Sequence, residues 1–254
     1  MYKRQIIDDE EALSRFLTLF AGIPGQKILV HGGGKGATRM ADILQIRQQM
    51  VEGRRITDAE TLKVVTMVYA GSINKNIVAK LQALHCNALG LTGADGNSIL
   101  AHKRTGSHID YGYAGDIDVV HAGLLRSLLD ARMTPVMAPI THDGKGQLLN
   151  TNADTIAQQL ALAMAPLFAT HLVYCFEKNG VLTNTDDETS VIKALTRENY
   201  FSLKRSNIVH TGMIPKLDAA FAALEGGVDR ITLGNGLLLD KLVNGDAGTM
   251  MQHG

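Results

Sequence analysis

The sequence predicts an α/β protein in which a mostly parallel sheet is covered on both faces by helices. Short apolar runs rich in β-branched residues recur along the chain, and most are followed by a glycine-rich or polar turn and then by a helical pattern. Strands that alternate with helices are typical of parallel sheets, because each crossover helix returns the chain to the same end of the sheet. The 26 glycines against 5 prolines fit this interpretation, since the glycines cluster beside the apolar runs.

The predicted elements follow in a regular order. The strands are KILVH (27–31), CNALGL (86–91), TPVMAP (134–139), HLVYCF (171–176) and DRITL (229–233). Helical spacing of apolar residues predicts helices that begin near Arg39, run over 58–84, and begin again at Thr155 and Pro215. Proline suits a first helical turn, where its missing N–H costs no hydrogen bond.

The length of 254 residues suffices for one large domain or two modest lobes. We place a lobe boundary near 169–171. This gives an N-terminal lobe over 1–170 and a C-terminal lobe over 171–254, with one continuous sheet running through both.

Charge and cysteine content narrow the function classes. The 25 basic residues balance 25 acidic ones, which argues against binding to nucleic acid or to an anionic membrane surface. Cys86 and Cys175 are too few for a disulfide framework and indicate a reducing setting. No apolar run approaches the ~20 residues of a membrane span, and the first residues are too polar for a signal peptide. We expect a cytoplasmic globular protein, for which a small anionic substrate stays open.

The segment HGGGKG (31–36) carries the strongest local signal. It follows a predicted strand and precedes a helix, where free backbone N–H groups and the helix dipole favour an anion. Glycines let the backbone approach a phosphate closely. The P-loop spacing, in which Ser or Thr follows the lysine, is absent, whereas Gly32, Gly34 and Ala37 fit the looser dinucleotide pattern G-x-G-x-x-A. A tight strand-to-helix turn is the alternative, and the context favours anion binding.

Three further segments place polar residues at predicted helix starts. RRITD (54–58) combines capping residues with an arginine able to clamp a carboxylate, and NTNAD (150–154) offers two amides and a carboxylate. For both, capping and ligand binding remain open. TGMIPK (211–216) places Lys216 in a first helical turn, where a cation is unfavourable, so a role in neutralising a phosphoryl group is an open hypothesis. The histidines are scattered without the spacing of a zinc site, and we predict no protein-held metal.

Taken in order, five segments resemble the N-acetyl-L-glutamate kinases of the amino-acid kinase family. They are ILVHGGGKGAT (28–38), the stretch from GRRITDAE to IVAKL (53–81), NALGLTGADGN (87–97), GQLLNTNADTIAQQLA (146–161) and GMIPKLDAAFAAL (212–224). The resemblance implies a three-layer αβα sandwich around a mostly parallel, eight-stranded sheet, and a homodimer. It also implies phosphoryl transfer from ATP to the γ-carboxylate of N-acetyl-L-glutamate, an early step of arginine biosynthesis.

The same resemblance assigns roles to individual residues. Catalytic roles fall to Lys216, Asp154 and Gly33. The substrate-binding residues are Gly32, Gly33, Gly34, Arg55, Asn150 and Asn152. The nucleotide-binding residues are Lys178, Gly180, Gly212, Met213 and Lys216. Mg²⁺ is expected to be held mainly by the phosphates of ATP. The resemblance also implies that the N-terminal lobe binds the acylglutamate and the C-terminal lobe binds MgATP.

Three departures from the family pattern carry expectations of their own. The family opens with K-[IL]-G-G, whose lysine is catalytic, but the alignment places that lysine at Met1 and the glycines at Lys3 and Arg4. We therefore expect a foreign start and an impaired chain. An aspartate that usually follows the strand matching 171–175 is replaced by the sequence FEKNG (176–180), which puts nucleotide contacts in doubt. Arg54 replaces a usually apolar residue, and it favours an N-succinyl-L-glutamate substrate if its side chain faces the site.

Other functions remain open alternatives. Another amino-acid kinase, such as a glutamate 5-kinase or a carbamate kinase, is the nearest. A dinucleotide-dependent oxidoreductase could use Gly32, Gly34 and Ala37, although no acidic residue ends a convincing next strand. A non-catalytic nucleotide-binding subunit is the third, and it predicts ATP binding without turnover.

Overall fold

The computed structural model describes residues 6–51, 54–106, 108–206, 208 and 213–253. The helices are α1 (Glu10–Gly22), α2 (Gly34–Ile43), α3 (Ala59–Thr66), α4 (Asn74–Ala83), α5 (Ala122–Asp130), α6 (Ala153–Met164), α7 (Arg197–Arg205), α8 (Ile214–Glu225) and α9 (Leu239–Asn244). A π-helical stretch, Met67–Ile73, joins α3 to α4, and short 3₁₀ turns cover Ile6–Asp8, Asp95–Asn97 and Gly236–Leu238.

The strands are short. They are β1 (Leu29–Val30), β2 (Gln49–Val51), β3 (Arg54–Ile56), β4 (Ala88–Leu91), β5 (Ile99–Lys103), β6 (Gly115–Val120), β7 (Thr134–Met137), β8 (Ile140–His142), β9 (Leu148–Asn150), β10 (His171–Phe176), β11 (Ala194–Thr196), β12 (Arg230–Asn235) and β13 (Thr249–Gln252). All five predicted strands are therefore found, and the four predicted helical segments are helical.

The chain divides into two compact units. The central unit is Pro24–Ile156, and the terminal unit combines Met1–Ile23 with Ala157–Gly254. By compactness, α1 thus groups with the C-terminal part of the chain, and the division falls within α6 instead of near 169–171. The predicted division of functions between 1–170 and 171–254 stays a prediction.

In the central unit, β1, β7 and β4 form a parallel sheet in that order. Above it the helical segment from α3 to α4 buries an apolar stripe that includes Leu62, Val65 and Ile77, as the spacing over 58–84 predicts. Asp58 caps α3 by accepting the N–H of Thr61 at 2.7 Å. The sequence did not predict the antiparallel hairpin β2–β3 or the mixed sheet β6-β5-β8-β9, which complete this unit.

In the terminal unit, β10, β12, β13 and β11 form one sheet, in which only the β12–β13 pair is antiparallel. Its core is built around Tyr200 and Phe221, whose rings stack 5.4 Å apart, together with Leu195 and Ile231. The ladders of the described strands run within each unit, and the single eight-stranded sheet stays a prediction. Within the described ranges, no helix combines the length and apolar character needed to cross a bilayer.

Candidate active site

The glycine-rich segment lies between β1 and α2, at the carboxyl end of the parallel sheet of the central unit. Gly33 is the N-cap residue of α2 and is buried. A Cβ built on Gly33 would lie 2.3 Å from Ile73 Cδ1 and 3.1 Å from Tyr69 Cδ1, whereas one on Gly32 would meet nothing within 4 Å. Gly33 is therefore needed for close packing, and Gly32 faces open space beside the helix N-terminus, where an anion is favoured. Gly34 begins α2.

His31 precedes these glycines and is 3% exposed. Its Nδ1 lies 2.8 Å from the carbonyl oxygen of Gly32, and its Nε2 lies 3.1 Å from Nδ2 of Asn74. Burial lowers the pKa of His31 to about 4, so the ring is neutral near pH 7. The sequence prediction gave His31 no role.

Arg55 is half-buried on β3 and is held by three side chains. Its guanidinium donates to Oε1 of Gln48 and, at 2.9 Å, to the hydroxyl of Thr38 on α2. The third side chain is Tyr69, which is hydrogen-bonded to Arg55. Burial raises the pKa of Tyr69, whereas the charge of Arg55 and this hydrogen bond lower it. This fixed guanidinium suits bidentate recognition of a carboxylate. Arg54 also lies on β3, but its side chain lies outside the described residues.

Asn150 ends β9 and is connected to the segment that follows Arg55. Its Nδ2 donates to the hydroxyl of Thr57 at 3.0 Å, and its N–H donates to the carbonyl of Tyr113 at 2.8 Å. Thr57 in turn exchanges backbone hydrogen bonds with Tyr111 and Tyr113. The central unit thus brings two predicted substrate residues, Arg55 and Asn150, into one hydrogen-bonded framework.

The second amide and the carboxylate of NTNAD (150–154) lie at the start of α6. Asn152 is exposed, and its Oδ1 accepts the N–H of Thr155 at 3.1 Å, so it acts as a helix cap in this structure. Asp154 is half-buried in the first turn, where the helix dipole favours a carboxylate. The capping interpretation therefore accounts for Asn152, and its predicted contact with substrate stays a prediction.

In the terminal unit, the predicted nucleotide residues lie in two segments. Lys178 follows β10 and forms an ion pair with Glu188, and it also donates to the carbonyl of Thr185 at 3.2 Å. Gly180 is buried, and a Cβ there would lie 2.7 Å from Val191 Cγ1, so packing alone requires this glycine. Both residues have structural roles that the sequence did not predict.

The second segment is the start of α8. Met213 is the N-cap residue and packs against the core of the unit, and Lys216 lies in the first turn with its Nζ 5.9 Å from the ring centroid of Tyr174. Gly212 lies outside the described residues, as do Met1, Lys3 and Arg4.

Glu177 lies directly after β10, close to the place where the family usually has an aspartate. Its Oε1 is buried and has no hydrogen-bond partner among the described residues. A buried carboxylate oxygen without a donor is costly, so this atom is suited to accept hydrogen bonds from a ligand. Among the described residues, no group of three or more His, Cys, Asp or Glu is placed to hold a metal ion.

Several residues around this site went unpredicted: Thr38, Gln48, Thr57, Asn74 and His31. Each is an ordinary polar residue. The side chain to which it hydrogen-bonds lies 17 to 93 positions away in the sequence, except for Gln48, whose partner Arg55 is 7 positions away. Burial is what distinguishes Thr57 and Asn74, which are 0% and 1% exposed. No local pattern in the sequence carries that signal.

Comparison with known proteins identifies relatives of the whole chain. The family model described as "Amino acid kinase family" matches residues 5–235. An acetylglutamate kinase of Cytophaga hutchinsonii is 54% identical over 240 residues, which cover 94% of this chain and 91% of the relative. An acetylglutamate kinase of Phocaeicola vulgatus is 51% identical over 248 residues, which cover 98% of this chain and 95% of the relative.

A carbamate kinase from Giardia lamblia, solved with AMP-PNP bound, superimposes with a TM-score of 0.67 over 96% of this chain and 90% of that one. At 12% identity this likeness concerns the fold alone. Together with the family match, it confirms the predicted fold class, an αβα sandwich with a parallel sheet. The family match and the acetylglutamate kinases above argue against the alternative of a dinucleotide-dependent oxidoreductase.

Proposed function

The chain belongs to the amino acid kinase family, and we propose that it transfers the γ-phosphoryl group of ATP to the γ-carboxylate of N-acetyl-L-glutamate, a step of arginine biosynthesis. The observation that carries this proposal is the 54% identity to an acetylglutamate kinase over 94% of the chain. The framework around Arg55 and Asn150 supports it, because it offers a fixed guanidinium and an amide to a small polar carboxylate.

The acceptor substrate belongs to the central unit. Arg55 holds the α-carboxylate, for which its anchoring by Gln48 and Thr38 provides a rigid fork. Asn150 contacts the acylated part of the substrate. The backbone N–H groups of the segment Gly32 to Gly34 face the γ-carboxylate and the incoming phosphoryl group, since a helix N-terminus stabilises negative charge.

The phosphoryl donor belongs to the terminal unit. Lys216 neutralises charge that develops on the transferring group. Asp154, which belongs to the central unit, has the catalytic role that the family resemblance gives it. Glu177 accepts hydrogen bonds from ATP through the oxygen that has no partner within the described residues, and ribose hydroxyls are suitable donors. Mg²⁺ is carried by the ATP phosphates, whose oxygens it prefers, and it neutralises part of their charge.

The reaction needs no covalent enzyme intermediate. A γ-carboxylate oxygen of the substrate forms a bond to the γ-phosphorus as the bond between that phosphorus and the β–γ bridging oxygen breaks. The products are an acyl phosphate and ADP, and no proton has to be removed from the ionised nucleophile. The residues therefore act by positioning the two substrates and by stabilising charge.

The acyl group is the finer question. N-succinyl-L-glutamate is the second candidate substrate, because Arg54 adds a cation to the strand that carries Arg55 and a succinyl group adds a carboxylate. Neighbouring residues on a strand face opposite sides, which favours N-acetyl-L-glutamate.

We further infer that the chain works as a homodimer in the cytoplasm. Leu84 and Leu89, at and near the edge strand β4, are exposed apolar residues that a second copy would cover. The two free cysteines support the cytoplasm, because a reducing compartment keeps thiols unpaired. Light scattering after gel filtration measures the oligomeric state directly.

The test is MgATP-dependent formation of the acyl phosphate, trapped as a hydroxamate, with N-acetyl- and N-succinyl-L-glutamate side by side. It is run on the chain itself and on a variant with Lys-Ile-Gly-Gly at positions 1–4 behind an initiating Met. Lys216→Met is expected to lower kcat at least about 100-fold, and exposed Lys241→Met serves as the matched control with unchanged kcat. ATP binding without turnover of either substrate in both chains contradicts the proposal.

A further inference from the structure

A buried chain of hydrogen bonds runs behind the glycine-rich segment in the central unit. Exposed Lys75 donates from Nζ to Oδ1 of Asn74 at 3.2 Å and to the carbonyl of Gly90 at 3.0 Å. Asn74 contacts His31 through Nδ2, and His31 contacts the carbonyl of Gly32 through Nδ1. The chain thus begins at a surface cation and ends on the backbone of the candidate site.

The donors and acceptors in this chain can be assigned from its two ends. The carbonyl of Val136 only accepts, and it lies 2.9 Å from Nδ2 of Asn74, while Oδ1 of Asn74 accepts from Lys75. The amide orientation is therefore fixed, and its second N–H points to Nε2 of His31. That nitrogen must accept, so the single proton of the neutral ring lies on Nδ1 and is donated to the carbonyl of Gly32.

This arrangement determines which way the next peptide faces. The described chain has no cis peptide, and in a trans peptide the C=O and the following N–H point in opposite directions. Because His31 holds the carbonyl of Gly32, the N–H of Gly33 points away from the ring. Gly32 has open space around it, whereas the other side of Gly33 is packed against Ile73.

We propose that His31 and Asn74 are positioning residues, which orient the Gly32–Gly33 peptide so that the N–H of Gly33 faces the transferring phosphoryl group. This inference rests on the proposed kinase function. The hydrogen bonds polarise one another from the Lys75 cation toward Gly32, which stiffens the chain. Neither side chain touches a substrate in this scheme, and both act through the backbone.

The surrounding packing is fitted to this chain of bonds. A Cβ built on Gly90 would lie 2.0 Å from Oδ1 of Asn74 and 2.7 Å from Nζ of Lys75. The backbone of β4 therefore approaches the amide as closely as only glycine allows. Asn74 itself is 1% exposed, so its amide has no water with which to exchange these partners.

Two measurements test the proposal. The first is a long-range ¹H–¹⁵N NMR spectrum of the imidazole rings of the full chain at pH 7, with His31 assigned by comparison with the His31→Asn variant. We expect a neutral ring protonated at Nδ1. A ring protonated at Nε2, or at both nitrogens, overturns the proposal, and this outcome does not depend on whether the chain is a kinase.

The second is steady-state kinetics of variants. His31→Phe, which lacks both ring nitrogens, is expected to lower kcat about 10- to 100-fold while the KM for each substrate changes less than about threefold. Asn74→Leu should show a loss of the same size. His31→Asn keeps a donor near the Nδ1 position and should recover most of kcat. His171→Gln, at a half-buried histidine in the terminal unit, is the matched control and should leave kcat unchanged.

A merely structural role predicts a different result. A structural role would lower the thermal stability of His31→Phe and His31→Asn alike and would give the two variants the same kcat. That result overturns the proposal, and so does an unchanged kcat in His31→Phe. If neither the unaltered chain nor the variant with Lys-Ile-Gly-Gly at positions 1–4 phosphorylates an acylglutamate, the proposed function fails, and the NMR result alone decides the orientation of the peptide. If His31→Phe does not fold, the spectrum and the His31→Asn kinetics still decide it.

Discussion

Asn150 donates its side-chain N–H to the hydroxyl of Thr57 at 3.0 Å, across 93 positions of sequence. Thr57 is fully buried and its hydroxyl also lies 3.3 Å from the carbonyl of Arg55. Alternate residues of an extended segment face the same side, so Thr57 places Arg55 and Asn150 on one side of the central unit. The sequence offered Thr57 or Asp58 as the cap of α3, and Asp58 performs that role.

Thr57→Val should therefore weaken acceptor binding. The variant keeps the shape of the side chain but leaves the Asn150 amide without its acceptor, which costs about 1–3 kcal/mol. We expect the KM for the acylglutamate to rise about 10-fold with little change in the KM for ATP. Thr57→Ser keeps the hydroxyl and should restore the KM. Steady-state kinetics provides the measurement, and an unchanged KM in the valine variant would contradict the assigned framework.

Arg55→Lys tests whether the planar fork is needed. A lysine keeps the charge but lacks the planar guanidinium with which Arg55 reaches Gln48, Thr38 and a carboxylate at the same time. The KM for the acylglutamate should therefore rise about 10- to 100-fold. Arg126→Lys, in an exposed ion pair with Asp130, is the control and should change neither KM nor stability. An unchanged KM in Arg55→Lys, as in the control, would argue that Arg55 does not bind the substrate carboxylate.

Gly33→Ala separates packing from chemistry. The new Cβ meets Cδ1 of Ile73 at 2.3 Å, and relief of that clash should cost about 1–3 kcal/mol in the free energy of unfolding. Ile73→Val removes that Cδ1 atom, so the double variant should be more stable than the sum of the two single changes predicts. Denaturation in urea measures all three. Strict additivity would show that the two residues do not interact.

Gly32→Ala should behave in the opposite way, because its Cβ enters open space. We expect the urea midpoint to change little and kcat to fall at least about 10-fold, since the methyl group occupies the side on which an anion would approach the helix N-terminus. A variant with full activity would argue against substrate contact at Gly32.

The sequence predicted the regular elements well where apolar periodicity was strong. Strand β10 has the predicted bounds, and the helix over 58–84 is continuous. The π-helical stretch Met67–Ile73 inside it was not predicted. Periodicity over 27 residues does not reveal a local change to wider hydrogen bonding, which here accompanies the contact of Tyr69 and Ile73 with Gly33.

The sequence also missed the mixed sheet β6-β5-β8-β9, because β8 and β9 are only three residues long and β5 and β6 mix their apolar residues with polar and charged ones. Lys103 ends β5, and Asp116 and Asp118 lie in β6, so these strands lack the continuous apolar runs by which the others were found. For the site, the motifs identified which residues to inspect. They left capping and ligand binding open for Asn152, which caps α6. They did not indicate that His31 and Asn74 meet across 43 positions.

Acid should destabilise the protein between about pH 6.5 and 4. Burial lowers the pKa of His31 to about 4. Burial and the charge of Arg230 lower the pKa of His171 to about 4 as well. Both histidines titrate near 6.5 in an unfolded chain. In this window the unfolded state binds more protons, so the free energy of unfolding falls as the pH falls and levels off below about pH 4. His31 alone contributes at most about 3 kcal/mol to this loss.

Urea midpoints measured between pH 7.5 and 4.5 test this. Carboxylates such as Asp143 stay ionised there, because backbone N–H groups of Lys145 and Gln147 lower its pKa. His171→Gln keeps a polar atom for its partner Thr232, which lies 2.9 Å away, but removes one titrating group, so its acid slope should be shallower than that of the unaltered chain. His31→Asn should flatten the slope by a similar amount, because both rings have a pKa of about 4. The same acid slope in all three proteins would mean that neither ring is held neutral by burial.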